Sequence, residues 1–153
     1  MEQTLIILKP DAIQRRLVGR IVQRFEDKGL ALAAMKLMQI PRELAERHYA
    51  PHKGKPFYPG LIDYITSGPV LVMVLSGNRA IDIARTLMGK TFGYEAAPGT
   101  IRGDFGASRS FNLVHGSDSP ESAATEIALY FGKGELLGYS PAGTEWVFPA
   151  DDK

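Results

Sequence analysis

The chain contains no cysteine. A disulfide framework, a thiolate metal centre and a cysteine nucleophile are therefore excluded, and a reducing compartment is compatible with the sequence without being required by it. Histidine is scarce: His48, His52 and His115 are the only three among 153 residues. Net charge is nearly absent as well. A formal +1 gives no reason to expect a nucleic-acid or anionic-membrane surface. Long apolar runs are missing. Thr4–Leu8 is interrupted by Lys9, too early for a signal-peptide core, and no stretch reaches the roughly 20 apolar residues of a membrane span. The expectation is a cytoplasmic protein with no membrane partner. The familiar nucleotide loops are missing too. Gly89-Lys90-Thr91 has the end of a phosphate-binding loop, but Ala84 stands where its first glycine belongs. No dinucleotide glycine pattern and no protein-kinase signature is present. Any nucleotide site must be of another design.

What is present suffices for one domain spanning residues 1–153. At this length folding buries roughly 68–70% of the unfolded surface, so no staple is needed. Thr4–Leu8 reads as a buried strand ended by Lys9-Pro10-Asp11. Leu17, Val18, Ile21, Val22 and Phe25 share one helix face, with Gly29 placed to end it. Ala31–Gln39 is a strand candidate whose pattern also admits a helix. Pro41 opens a short helix through Tyr49, a Pro/Gly-rich loop follows, and Leu61–Thr66 reads as one more short helix. Val70–Leu75 is continuously apolar, as expected of a central strand covered on both faces. Asn78 is expected to cap a helix whose Ala80, Ile81, Ala84, Leu87 and Met88 face inward. Lys90–Arg109 reads as a long loop, a length that compact domains reserve for function. Phe111–Val114 is read as a last strand, and Ser119-Pro120 starts a helix through Phe131. The order strand, helix, strand, strand, helix, strand, helix points to a split βαβ sandwich.

The chemistry must come from few groups. His48 and His52 flank the Pro-rich loop beside basic residues and read as surface histidines. His115 lies at a strand end before Gly116-Ser117-Asp118-Ser119. On spacing alone it is either a satisfied turn histidine or a phosphoryl acceptor, since imidazole is largely neutral near pH 7. In the second reading Gly116 spares an incoming phosphate a crowding side chain. Glu126, two turns into the last helix, reads as a solvated carboxylate unless it turns inward to orient an imidazole. Lys9 leaves its strand toward either a cleft or water, and Arg85 suits the dipole at its helix end. Arg102, inside Gly99-Thr100-Ile101-Arg102-Gly103-Asp104, has no evident structural need. Cations converging on a di- or triphosphate would do most of the work of phosphoryl transfer. Phe57 or Tyr58 offers either a loop anchor or a stacking face for a base.

Together these segments resemble the nucleoside diphosphate kinases. Asn112-Leu113-Val114-His115-Gly116-Ser117-Asp118-Ser119 is similar to that family's active-site signature. Leu8-Lys9-Pro10-Asp11, His48-Tyr49, Lys55-Pro56-Phe57-Tyr58-Pro59-Gly60-Leu61, Ser67-Gly68-Pro69-Val70 and Pro98–Asp104 follow in register, and the resemblance runs to about Phe148. It implies an α+β fold, a ferredoxin-like sandwich with a four-stranded antiparallel sheet covered by helices and an extra C-terminal helix and tail. It implies a ping-pong phosphotransferase of broad base specificity that maintains nucleotide pools through a phosphohistidine. His115 would be the nucleophile, with Glu126 orienting its other nitrogen and Ser117 hydrogen-bonded nearby. Lys9 would contact the transferring phosphate and the ribose, and Tyr49 would lie beside the phosphohistidine. Asn112 would hold the ribose 3′-hydroxyl, Phe57 would stack on the base, and Arg85, Thr91 and Arg102 would bind phosphates. Mg²⁺ would arrive on the phosphates of ATP or another nucleotide, with no protein side chain as ligand. The partner would be further copies of the chain, as a tetramer or hexamer. Two departures stand out. Many members carry Asn-Pro where this chain has Phe92-Gly93, and Arg109 occupies a place that is often small or apolar. A nucleotide-binding module without turnover and an RNA-binding sheet are the rival readings. The intact cations oppose the first, and the neutral charge with no RNP-type aromatics opposes the second.

Overall fold

A computed structural model describes residues 1–152. The chain runs β1 (Glu2–Leu8), α1 (Pro10–Gln14), α2 (Val18–Asp27), β2 (Ala31–Met38), α3 (Arg42–His48), α4 (Tyr58–Ile65), β3 (Val70–Gly77), α5 (Ala80–Met88), α6 (Ile101–Phe105), β4 (Val114–Gly116) and α7 (Pro120–Tyr130). The four strands form one sheet in the order β2-β3-β1-β4, with every neighbouring pair antiparallel. This is the ferredoxin-like order: β3 lies between β1 and β2, the two strands that the α1–α2 crossover connects.

The two central strands explain their own sequences. Successive side chains of a strand point to opposite faces. Ile6 and Leu8 of β1, with Leu71, Met73 and Leu75 of β3, pack against Ile21 and Phe25 of α2 and Ala84 and Met88 of α5. Leu5 and Ile7, with Val70, Val72 and Val74, pack on the other face against Ile62 and Ile65 of α4 and Ile127 and Tyr130 of α7. Both faces are covered, so neither strand can afford alternation with polar residues. Strand β2 is the edge, broken by an irregularity between Leu32 and Ala34, and Met35 and Leu37 on it remain exposed.

Several expectations need correction. Asn78 does not cap α5. Arg79 holds the cap position in a left-handed conformation, and the first-turn amide of Ile81 donates instead to the Glu2 carboxylate from the start of β1. Asn78 turns its amide to the Asp152 carbonyl. The stretch from Lys90 to Arg109 is not all loop. It carries a single 3₁₀ turn at Gly93–Glu95 and the short helix α6, which Thr100 caps by accepting from the Gly103 amide. The last strand begins at Val114 and not at Phe111, because Leu113 takes a positive φ of 70° that breaks extended geometry just before it. Among the described residues, no helix is long and apolar enough to cross a membrane.

Candidate active site

The pairing of β4 with β1 decides where the chemistry sits. His115 lies opposite Ile7 and Gly116 opposite Ile6. His115 thereby shares the face of Ile7, under α7, while Gly116 faces α5. A Cβ on Gly116 would fall 2.6 Å from the sulfur of Met88. The glycine therefore makes room for the core beneath the sheet, and not for a phosphate beside the imidazole.

Above His115, the inward face of α7 carries Ala123, Glu126, Ile127 and Tyr130, at helical spacings of three and four. Ser119 caps this helix by accepting from the Ser122 amide. Glu126 is not solvated. Its Oε2 accepts from His115 Nε2 at 2.9 Å and from the Ser117 hydroxyl at 2.7 Å. Ser117, itself fully buried, accepts from the Leu5 amide at 3.2 Å, which ties the carboxylate to β1. Burial opposes the charge on Glu126, but the hydrogen bond from His115 and the nearby ring of His48, 3.6 Å away, outweigh it and hold the carboxyl below the usual carboxylate range. Burial pulls the His115 imidazole down from its ordinary value, and His48 and Lys9 nearby add to this against the pull of Glu126. His115 is thus a neutral imidazole near pH 7, with Nε2 spoken for and Nδ1 left over.

His48 is not at the surface. It is 7% exposed, stacks on Tyr49 at 4.4 Å between ring centroids, and brings Nε2 to 3.2 Å from His115 Nε2. The signal for this was in the sequence: Ala45, His48 and Tyr49 are spaced by three and four, one face of a helix. His52 remains outside. It links Tyr49 to Phe57 through ring centroids 6.3 and 5.4 Å apart. Phe57 is 53% exposed, and Tyr58 instead packs toward the core cluster under α7. The Tyr49 hydroxyl is buried and has no hydrogen-bond partner among the described residues.

The cations approach from the other side. Lys9, buried at the end of β1, donates from Nζ to Asn112 Oδ1 at 2.7 Å. Its backbone amide donates to the Leu113 carbonyl, and the Leu113 amide donates to Asp11, so the positive-φ kink is held from both ends. The second oxygen of Asp11 accepts from the Tyr64 hydroxyl. Burial, then repulsion from Arg102, pulls Lys9 down to about 7 against the attraction of Asp11. Burial and then Arg85 pull Arg102 down to about 10. Arg102 thus repels Lys9 on one side and Arg85 on the other, with Asp11 offsetting this at Lys9, and such a cluster of cations is able to attract an anion. Arg102 also has the structural need that the sequence hid. Its guanidinium donates to the carbonyls of Asn112 (3.0 Å), Gly89 (3.0 Å) and Val114 (2.7 Å), joining α5, α6 and β4. Arg85 and Thr91 are exposed, and the Thr91 carbonyl accepts from Asn112. Arg109 lies over the Phe92 ring, which stacks on Tyr94, so both departures meet in one surface stack.

A family model described as nucleoside diphosphate kinase matches residues 2–136. The chain belongs to the nucleoside diphosphate kinase family. It is 55% identical over 148 residues to a nucleoside diphosphate kinase of Carboxydothermus hydrogenoformans, covering 97% of this chain and 99% of that one. A counterpart from Archaeoglobus fulgidus is 53% identical, with coverage of 97% and 98%. Among solved structures, a halophilic nucleoside diphosphate kinase of Halobacterium salinarum in complex with CDP superposes with a TM-score of 0.94 at 48% identity, over 96% of this chain and 98% of that one. Membership makes this chain a nucleotide-binding phosphotransferase with the ferredoxin-like fold expected of it.

Proposed function

We propose that the chain moves the γ-phosphate of a nucleoside triphosphate to a nucleoside diphosphate in two half-reactions through a phosphorylated His115. The observation that carries the reading is the committed Nε2. With its N–H on Glu126, the His115 lone pair sits on Nδ1, on the side of the ring away from the carboxylate. Nδ1 attacks the γ-phosphorus, the nitrogen–phosphorus bond forms, and the bond to the leaving diphosphate oxygen breaks with its electron pair. No proton leaves the ring. The positive charge that develops on it is matched by Glu126, which Ser117 holds in place. Lys9, Arg85 and Arg102 neutralise the phosphates, and Thr91 adds a hydrogen bond. Asn112, oriented by Lys9, meets the ribose 3′-hydroxyl. The Tyr49 hydroxyl, unpartnered in its pocket, donates to the transferring group.

Phe57 offers the base a ring with no side-chain donor or acceptor on it, which accounts for broad base tolerance. Among the described residues, the one cluster able to hold a metal is His48, His115 and Glu126. Two imidazoles and a carboxylate already hydrogen-bonded suit a nitrogen-loving ion and not Mg²⁺, which prefers oxygen and keeps its waters. Mg²⁺ therefore fits as a companion of the nucleotide phosphates, where it would offset their charge. The exposed β2 edge, with Leu37 64% exposed and Trp146 89% exposed in the tail, supports a homo-oligomer. A role in cytoplasmic nucleotide pools completes the reading.

The test is brief incubation with γ-labelled ATP, then a chase with GDP. The expected result is an acid-labile label on the wild type that GDP removes as GTP, and no label on His115→Ala. A wild type that stays unlabelled, or a His115→Ala variant labelled as well as it, overturns the proposal.

A further inference from the structure

Tyr130 lies at the end of α7, one turn beyond Glu126, and its hydroxyl sits 2.6 Å from His48 Nδ1. Both side chains are buried. The other ring nitrogen of His48 points at the reacting assembly, 3.2 Å from His115 Nε2 and 3.6 Å from Glu126 Oε1. Four polar groups, two buried and two half-buried, thus form a line, Tyr130–His48–Glu126–His115, and a neutral imidazole can place its single proton at only one of two nitrogens.

Only one placement gives every hydrogen an acceptor atom within 3.6 Å. If Tyr130 donates to Nδ1, the His48 proton sits on Nε2 and is aimed at Glu126 Oε1. His115 Nε2–H then has Glu126 Oε2 to itself, with the Ser117 hydroxyl on the same oxygen. The opposite placement fails twice. A proton on His48 Nδ1 would spend the tyrosine oxygen as an acceptor and leave its hydroxyl hydrogen with no recorded partner. The lone pair on His48 Nε2 would then face Glu126 Oε1 and compete with Glu126 for the proton of His115. Burial, with Tyr49 and Glu126 nearby, pushes the Tyr130 phenol up, so the hydroxyl keeps its hydrogen to donate.

We propose that Tyr130 and His48 are positioning residues that fix the nucleophile's tautomer: the Tyr130 hydroxyl locks the proton of His48 on Nε2, which forces His115 to give its own Nε2–H to Glu126 and to present Nδ1 for attack. The proposal rests on His115 being the phosphorylated group. It adds that the second imidazole must be a donor toward Glu126, never an acceptor from His115, because an acceptor there would draw the His115 ring off its carboxylate.

The experiment is ¹⁵N NMR of the histidine rings in the intact protein, where only three histidines contribute, joined to steady-state kinetics on Tyr130→Phe, His48→Gln and the double variant. The wild type should show His48 with its proton on Nε2. Tyr130→Phe should populate the Nδ1–H form and lower kcat about tenfold with KM within about twofold, the scale of one lost buried hydrogen bond. Glutamine at 48 keeps an N–H donor near the Nε2 position without needing the tyrosine. Adding Tyr130→Phe to His48→Gln should therefore leave kcat where His48→Gln alone put it. A wild type with the proton on His48 Nδ1, a full kcat in Tyr130→Phe, or a double variant slower than His48→Gln would each overturn the proposal. A wild type that takes no phosphate on His115 would instead overturn the reading beneath it. A labelled His115 with an indifferent Tyr130 overturns the lock alone.

Discussion

Replacing Arg102 with glutamine separates two functions that one side chain combines. A guanidinium has five N–H donors, and three are engaged by the carbonyls of Asn112, Gly89 and Val114. Hydrogen bonds from a charged donor contribute about 1.5–3 kcal/mol each. The burial that pulls Arg102 down to about 10 offsets part of this, on the order of 3 kcal/mol at 1.36 kcal/mol per tenfold. The net loss in Arg102→Gln should lie near 3 kcal/mol. For a chain of this size, roughly 2–4 °C per kcal/mol converts that to a fall in Tm of about 6–12 °C. The assay is thermal unfolding of the unliganded protein at fixed subunit concentration, because assembly makes Tm concentration-dependent. Arg85→Gln is the control. Arg85 is exposed on α5 and its side chain makes no hydrogen bond among the described residues, and its replacement should leave Tm within about 1 °C, the range of a surface change. Nucleotide KM should rise in both variants if Arg102, through its two remaining N–H groups, and Arg85 bind phosphate as proposed. Should Arg102→Gln melt within about 2 °C of the wild type, the three carbonyls have other partners and the arginine is no structural pin.

Two further outcomes follow from the buried charges. Lys9, held near 7 in the unliganded protein, should regain its ordinary affinity for a proton when a phosphate anion arrives, so nucleotide binding at pH 8 takes up a proton. Calorimetry in two buffers of different ionisation enthalpy should detect that uptake in the wild type and not in Lys9→Arg, whose guanidinium is charged throughout; equal uptake in both would place the proton elsewhere. His115, pulled below the imidazole range, should stay neutral as the pH falls through 6.5. The rate of phosphoenzyme formation at pH 6 should remain within about twofold of that at pH 7.5, whereas an unshifted imidazole of pKa near 6.5 would cost about fourfold. Because its folded value is depressed, the same group makes the unfolded chain the better proton binder below 6.5, and stability should fall as pH drops from there.

The two central strands were legible in the sequence because burial on both faces leaves a strong mark: Val70–Leu75 has no polar residue to confuse with any other element. Helix α2 was legible from periodicity with a closing Gly29, and α7 from its Ser119-Pro120 start. What the reading lost was short or non-local. Helix α6 has five residues, too few to show a period, and a glycine stands inside it. The cap of α5 comes from Glu2, far away in the chain. The need for Arg102 arises from three carbonyls on separate segments, which no local pattern encodes. His48 and Glu126 are different cases. Each lies three or four residues from neighbours that face inward, Ala45 for one and Ala123 and Tyr130 for the other. Their charge and polarity argued for solvent, but the period argued for burial. Where the two conflict, a polar group on an apolar stripe is the place to look for chemistry, since burying it without function or partner is costly.

The proposed nucleophile sits on a strand of only three residues, which makes its register critical. A slip of one residue in the β4–β1 pairing would exchange the faces of His115 and Gly116. The imidazole would then meet Met88 and Ile6 in the core under α5, away from the Glu126 carboxylate that takes its N–H. A long strand would fix register by repetition, but β4 has three paired positions. The register is fixed instead at its entrance. Leu113, in a conformation that leucine rarely adopts, is held by the Lys9 amide on its carbonyl and the Asp11 carboxylate on its amide. The residues that clamp this kink are Lys9, whose ammonium serves the phosphate side of the proposed site, and its near neighbour Asp11. Strain of this kind persists only where the surroundings over-determine it. Here the over-determination and the proposed substrate site are made by one turn of chain.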